Sequence, residues 1–186
     1  MRVIAGKYRS RNLQSLPGNE TRPTYDRLKE TLFNVLQSAG AIEGASFLDL
    51  YAGTGSVGIE ALSRGAERVV FVESNRKAAN LIRSNLTSLD VNEGASVLQE
   101  EAASALPMLM KSGEQFDVVF LDPPYALAGE YGRSLRLLGS GSLLKPNAIV
   151  IAEHDKRFEP GDDHAPLARY RRLEQGDSAL SFYRLT

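Results

Sequence analysis

The sequence predicts an α/β fold: a doubly wound, Rossmann-like sheet, mostly parallel, ending in an antiparallel C-terminal hairpin and preceded by a small N-terminal β-hairpin and helix. Three observations predict it. From Ser46 onward, short β-rich runs alternate with helical stretches, the pattern of parallel βαβ units covered on both faces. The first of these runs leads into the glycine turn Gly53-Thr-Gly-Ser-Val-Gly58. Near the end, two β-rich runs flank Gln175-Gly176-Asp177, a turn that joins them as a hairpin.

Taken in order, Arg2–Gly6 reads as a short strand and Asn12–Leu16 as its partner, followed by a turn at Pro17-Gly18-Asn19. A helix is expected from Thr24. Leu28, Leu32, Phe33, Val35, Leu36 and Ala39 share one face at helical spacing, and Gly40 can end it. Strands are expected at Ser46–Leu50, Arg68–Glu73, Ala95–Gln99, Phe116–Leu121 and Ala148–Glu153. Between them lie helices Val57–Arg64, Arg76–Leu89, Ala102–Lys111 and Tyr131–Gly139. Arg169–Glu174 and Ala179–Leu185 form the final hairpin. Residues 1–40 are expected to be an extension, and residues 41–186 the main domain. Ligands of such sheets sit at the carboxyl ends of the strands, where the strand order switches.

Composition narrows the function classes. A chain of 186 residues with 42 % hydrophobic residues can bury its own core. The absence of cysteine excludes disulfides and thiolate-held metals. His154 and His164 stand in no metal-spaced cluster, so no metal is expected and surface or structural roles are assigned to both. Apolar runs such as Ala148–Ala152 are too short to span a bilayer, and no signal peptide opens the chain. The expectation is a soluble, cytoplasmic, monomeric protein without a membrane partner. Net charge is −1, but residues 1–29 carry +5 and the remainder −6. Arg2, Lys7, Arg9, Arg11 and Arg27 therefore read as an arm that meets nucleic-acid phosphates, carried by an acidic body.

The glycine turn belongs to Phe47-Leu-Asp-Leu-Tyr-Ala-Gly-Thr-Gly-Ser-Val-Gly58. Gly53 and Gly55 let the backbone turn and approach a ligand, and Gly58 lets the following helix pack tightly. Alone, this is also the dinucleotide fingerprint. Asp49, at the strand end, argues against a pyrophosphate and for a cationic ligand such as S-adenosylmethionine. Glu73 lies 20 residues after Gly53, where a carboxylate can accept from both ribose hydroxyls. Glu101 and Ala102, after the third strand, are candidates for holding an adenine ring. A plain helix N-terminal carboxylate is an equally good reading of Glu101.

The fourth strand ends in Asp122-Pro123-Pro124-Tyr125. Two prolines fix φ twice and remove two N–H donors, leaving a rigid turn that presents acceptors. Asp122 offers a carboxylate, Pro123 a main-chain carbonyl and Tyr125 a flat ring. An exocyclic amino group on a base is a poor nucleophile because its lone pair is delocalised. Two acceptors on its N–H bonds steer the nitrogen and stabilise the charge that develops on methylation. The ring suits an unstacked base. The tetrapeptide fits adenine N6 on DNA or RNA as well as guanine N2, and a non-catalytic RNA-binding assembly factor is the alternative of a different class. Glu153, at the end of the fifth strand, is placed to approach the site, but a hydrogen-bonded strand-end carboxylate is the preferred reading, and Tyr183 reads as core.

Four segments then occur in one order: Arg2-Val-Ile-Ala-Gly-Lys-Tyr-Arg-Ser-Arg11, Thr21-Arg-Pro-Thr-Tyr-Asp-Arg-Leu-Lys-Glu-Thr-Leu-Phe-Asn34, the glycine motif, and Asp122–Tyr125. Together they resemble the bacterial RsmD-type 16S rRNA guanine-N2 methyltransferases, and the resemblance covers nearly the whole chain. It implies a class I methyltransferase domain over residues 41–186, S-adenosylmethionine as cofactor, and the small ribosomal subunit as partner. The target it implies is N2 of the guanine at position 966 of 16S rRNA, on an assembled or partly assembled subunit. Carried over by motif, Asp49, Tyr51, Gly53, Gly55, Glu73, Glu101 and Ala102 line the cofactor pocket. Arg22, Thr24 and Arg27 belong to the segment that closes over the cofactor and approaches RNA. Asp122, Pro123 and Tyr125 hold the guanine. One departure stands out: the third-strand pair is Asp-Ala in the family and Glu101-Ala102 here.

Overall fold

Val, Leu, Ile and Phe fill most positions of the central strands, as a sheet covered on both faces requires. The computed structural model of the protein describes residues 1–15, 23–124 and 127–186, and their side chains except those of Pro23, Thr24 and Asp163. The strands are β1 (Ser46–Leu50), β2 (Arg68–Val72), β3 (Ala95–Leu98), β4 (Phe116–Leu121), β5 (Leu144–Asp155), β6 (Asp163–His164), β7 (Leu167–Gln175) and β8 (Ser178–Leu185). Among the described residues they form one sheet in the order β3-β2-β1-β4-β5-β8-β7-β6. The first five strands pair in parallel, and the last three add antiparallel. Strand order reverses between β1 and β4, which opens a crevice at their carboxyl ends.

Alternation of side chains divides the core in two. Phe47, Phe71, Phe120 and Ile151 face α1 (Pro23–Ser38), α2 (Ser56–Ser63) and α3 (Arg76–Ser88), meeting Leu32, Val57 and Ile82. Leu48, Val70, Val119 and Val150 face α4 (Ala102–Lys111) and α5 (Gly129–Ser140), meeting Leu106 and Leu135. Each fully buried side chain of this kind contributes roughly 1.5–3 kcal/mol. Gly58 sets how closely α2 approaches the sheet. A Cβ there would lie 2.3 Å from the Phe71 ring.

Element boundaries follow the sequence pattern to within a residue or two, with three differences. The N-terminal hairpin is reduced to a single antiparallel bridge, Arg2 with Asn12. Val3, Ser10 and Leu13 N–H still bond within the arm, to the Arg11, Val3 and Met1 carbonyls, but other donors go elsewhere. Ile4 and Ala5 N–H donate to the Glu60 carboxylate at 2.8 and 3.0 Å, and Lys7 N–H donates to the Ser63 carbonyl at 2.7 Å. Second, β5 begins at Leu144 rather than Ala148, because the chain re-pairs with β4 across an irregularity between Phe116 and Val118. Third, the two-residue β6 carries no strand signal of its own and exists by pairing with Leu167 and Ala168. The expected turn at Pro17-Gly18-Asn19 lies outside the described residues.

Glu60 docks the arm. Its carboxylate is fully buried, accepts the two arm amides and the Arg64 guanidinium at 2.7 Å, and forms an ion pair with the Lys29 ammonium at 3.6 Å. Lys29 also donates to the Arg2 carbonyl at 3.1 Å and to Ser56 Oγ at 2.8 Å. Replacing Glu60 by Ala leaves two buried cations and two amides without their acceptor. Glu60→Ala is expected to lose about 3–5 kcal/mol of stability in urea unfolding, as broken buried pairs do. A loss below about 1 kcal/mol would show that the arm docks without it.

Candidate functional site

Three acidic side chains converge at the crevice because of strand parity and register. Asp49 ends β1 on the face shared by Phe47. Asp122 follows β4 two residues after Phe120, and Phe120 pairs with both Asp49 and Ile151. Glu153 lies two residues after Ile151, level with Asp122. All three therefore project toward α1 and α2. Asp49 is 1 % exposed and Glu153 7 %, while Asp122 keeps part of its surface open to the crevice.

This crowding sets their acidity. Burial pushes Asp122 up to about 7. Burial also raises Glu153 well above the carboxylate range, and the nearby Asp122 charge adds to it. Asp49 is raised by burial, with Asp122 and Glu73 adding, while the Gly58 N–H that it accepts at 2.9 Å opposes. From α1, Tyr25 joins them. Its hydroxyl is raised by burial and by Glu153, Asp122 and Asp49 in that order, and is partly relieved by a hydrogen bond with Ser56. Lys29, one helical turn later, meets the same Ser56 but is engaged with Glu60.

The glycine turn is held from two strands. Gly53 and Gly55 adopt φ of 57° and 77°, values that strain any side-chain-bearing residue. Glu73 Oε2 accepts Gly53 N–H at 2.8 Å, and its Oε1 accepts Asn75 N–H at 2.7 Å. Each carboxylate oxygen has a second acceptor site, so the residue that fixes the loop can still receive ribose hydroxyls. Asp49 fixes the other end of the turn through Gly58.

A pocket of about 180 Å³ lies beside the turn, with Tyr51, Val72, Ser74, Glu101, Ala102 and Pro124 in its wall. Glu101 occupies the N-cap position of α4 without a side-chain cap bond. It lines the pocket and also stands at the helix N-terminus, where a carboxylate interacts with the dipole without a cap bond, so this placement is compatible with both readings of the sequence. Tyr51 has φ of 60°, a left-handed conformation costing roughly 1–3 kcal/mol in a non-glycine residue. Its hydroxyl donates to Glu130 at 3.0 Å and meets Ser134 Oγ at 3.0 Å, which fixes the ring at the pocket wall.

The Asp122-Pro123-Pro124 turn is closed by Leu127 N–H donating to the Pro124 carbonyl at 2.8 Å. Pro123 is buried and Pro124 exposed. Tyr125, Arg22 and the side chain of Thr24 lie outside the described residues. On the arm, Lys7, Arg9 and Arg27 are exposed. Lys7 lies 5.1 Å over the Tyr8 ring. Arg11 is exposed but donates to the Ser88 carbonyl at 2.6 Å, at the end of α3. Arg2 is exposed, while its carbonyl anchors Lys29. Among the described residues, no cluster of His, Asp or Glu is placed to hold a metal ion.

For Glu153 the sequence offered an approach to the site but favoured a local tie, and the structure brings it into the carboxylate cluster; its strand-end position after Ile149-Val150-Ile151-Ala152 was the available signal. Tyr25 escapes the sequence reading, since its direction depends on how α1 lies across the sheet. His154 is structural, as expected: its ring nitrogens meet the Asp155 carbonyl and Ser181 Oγ, each at 2.9 Å. Tyr183 is core, also as expected.

The site fits a ligand that is cationic at one end and carries a ribose and a flat ring. Buried carboxylates without a buried cation among them, where described, favour positive charge. Glu73 offers acceptors and the Tyr51–Ala102 pocket offers walls.

Comparison with known proteins agrees in extent and in fold. The family described as Conserved hypothetical protein 95 matches residues 1–184. The Bacillus subtilis protein named "Putative rRNA methyltransferase YlbH" is 36 % identical over 99 % of this chain and 98 % of its own length. Ribosomal RNA small subunit methyltransferase D of Haemophilus influenzae is 42 % identical over 84 % of this chain and 79 % of its own. The solved structure of "Putative methyltransferase yhhF" from Escherichia coli superposes with a TM-score of 0.84 and 32 % identity, covering 100 % of this chain and 97 % of that one. A match along its whole length, and relatives this similar, make the chain a member of the Conserved hypothetical protein 95 family, to which the ribosomal RNA small subunit methyltransferase D proteins belong.

Proposed function

We propose that the protein transfers a methyl group from S-adenosylmethionine to the exocyclic N2 of one guanine in 16S rRNA, on an assembled or partly assembled small subunit. The observation that carries this reading is the Asp122-Pro123-Pro124 turn, set beside the glycine turn at the point where strand order reverses. The names of the relatives support ribosomal RNA as the substrate class.

S-adenosylmethionine supplies an electrophilic methyl group and a positive charge. Glu73 would receive its ribose hydroxyls, Tyr51, Glu101 and Ala102 would enclose its adenine, and Asp49 would face its charged end. Arg22 and Thr24 are assigned to the segment that covers it. Asp122 and the Pro123 carbonyl accept the two N–H bonds of the guanine amino group and aim its lone pair. As the nitrogen gains its methyl, it loses a proton, and the Asp122 carboxylate takes it. Tyr125 is assigned to stack on the base.

Asp122→Ala is expected to keep cofactor binding by calorimetry and to lose methyl transfer, by a factor of roughly 10²–10⁴. Nucleoside analysis of small-subunit rRNA is expected to show N2-methylguanine. N6-methyladenine would overturn the base assignment, and full activity in Asp122→Ala would overturn the role of the turn.

The pH profile follows from Asp122. An acid raised to about 7 gains its accepting, ionised form as pH climbs through neutrality. kcat/KM is expected to rise over that range and then level off. A rate that falls with rising pH there contradicts Asp122 as acceptor.

For the arm, Lys7 and Arg9 are the better phosphate contacts, since Arg11 is engaged with α3. Arg9→Ala is expected to lower the salt slope of RNA binding by about 1, and Arg11→Ala by less. Equal slopes for wild type and Arg9→Ala would remove Arg9 from the footprint.

A further inference from the structure

Glu153 has no part in the chemistry described so far, yet it sits among the reacting groups. Parallel pairing of β4 with β5 in the register Phe120 to Ile151 and Leu121 to Ala152 brings Glu153 level with Asp122 and onto its face of the sheet. The strand end is anchored from the far side, where the Tyr131 hydroxyl of α5 donates to the Glu153 main-chain carbonyl at 2.8 Å. The groups facing the carboxyl are Asp122 from β4 and the Tyr25 hydroxyl from α1, with Asp49 beyond them on β1. Among the described residues no cation joins them: Lys29 is engaged with Glu60 and Ser56, and the neighbouring His154 ring meets Ser181 and the Asp155 carbonyl.

Two neighbouring carboxyl groups, largely enclosed and without a counter-ion among the described residues, do not both ionise at neutral pH. The proton stays on the one more cut off from solvent and from donors. Glu153 is 7 % exposed, whereas Asp122 opens onto the crevice. We propose that Glu153 is a positioning residue, which keeps its carboxyl proton at neutral pH and donates it to the Asp122 carboxylate. The donated hydrogen bond turns the other Asp122 oxygen toward the amino group. It also keeps the pair at a single negative charge. When the amino nitrogen releases its proton, Asp122 takes it and the pair becomes neutral; no proton leaves Glu153. The catalytic part of this inference rests on the amino-methylation reading, whereas the retained proton does not.

The test therefore has one arm that needs no substrate. In the unfolded chain Glu153 is ionised at about pH 8. A native state that holds one extra proton loses stability as pH rises, and its unfolding constant climbs about tenfold per pH unit. Glu153→Gln carries no such proton. Denaturant unfolding at about pH 8 is expected to show a pH dependence shallower by that tenfold factor in Glu153→Gln than in wild type. Equal slopes would overturn the proposal, whatever the enzyme does. In the second arm, Gln can donate through its amide and Ala cannot. Glu153→Ala is expected to lower kcat roughly 10- to 100-fold, the equivalent of one hydrogen bond to a charged group, and Glu153→Gln to restore most of it. Equal loss in both variants, with wild-type fold retained, would overturn the positioning role. A wild-type enzyme that methylates no amino group would instead sink the reading of the function and leave the slope test standing.

Discussion

The carboxylate of Glu60 is the interaction on which the rest of this structure depends. It is buried completely, and groups from three parts of the chain converge on it: the Ile4 and Ala5 amides of the arm and Arg64 at the end of its own helix donate to it, and Lys29 of α1 pairs with it. A buried charge is tolerated only when its lone pairs are filled in this way. The arm, which has one bridge and no ladder, is held in place by it. So is α1, because Lys29 is its deepest polar side chain. Since α2 begins at the glycine turn, a contact made 60 residues into the chain fixes the arm relative to the cofactor loop.

The carboxylates of the crevice present the opposite case. Asp49 and Glu153 are nearly as enclosed as Glu60, and Asp122 opens only partly to the crevice, but no described cation accompanies them. Glu60 receives two charged partners, Asp49 receives one amide, and Asp122 and Glu153 are pushed toward their neutral forms. Such a cluster costs stability in the native state and is selected for what it binds or accepts. The helix that bridges the two regions shows the division within one turn. Lys29 turns to Glu60, while Tyr25 turns to the crevice, and both touch Ser56.

The sheet was legible in the sequence because its signals are local. Hydrophobic runs mark β1 to β5, and the glycines at 53, 55 and 58 mark a turn whose backbone angles only such residues adopt freely. Asp49, Glu73 and Asp122 were legible for the same reason, since a strand end followed by a turn determines where its last side chain points. The N-terminal hairpin was not. Its sequence alternates like a strand, but whether Ile4 and Ala5 pair with a neighbouring strand or with a carboxylate 55 residues away is decided by tertiary docking. Glu60 itself looked like one more charge in a short helix. Glu101 was ambiguous in sequence, and in the fold it serves both places at once, at the N-cap of α4 and in the pocket wall.

The difference between Glu60 and Glu153 follows from what lies across from each. Both are buried glutamates on the same face of the sheet, separated by β1 and β4. Opposite Glu60 stand an ammonium and a guanidinium, so ionisation is the lower-energy form there. Opposite Glu153 stand a carboxylate and a phenol, so the proton is retained. Identical side chains thus serve as an anchor in one place and as a donor in the other. Exchange of their surroundings, rather than of the residues, would exchange the roles. Lys29 and Tyr25 are the residues that carry this distinction, since each supplies to its glutamate the one α1 group that the other lacks.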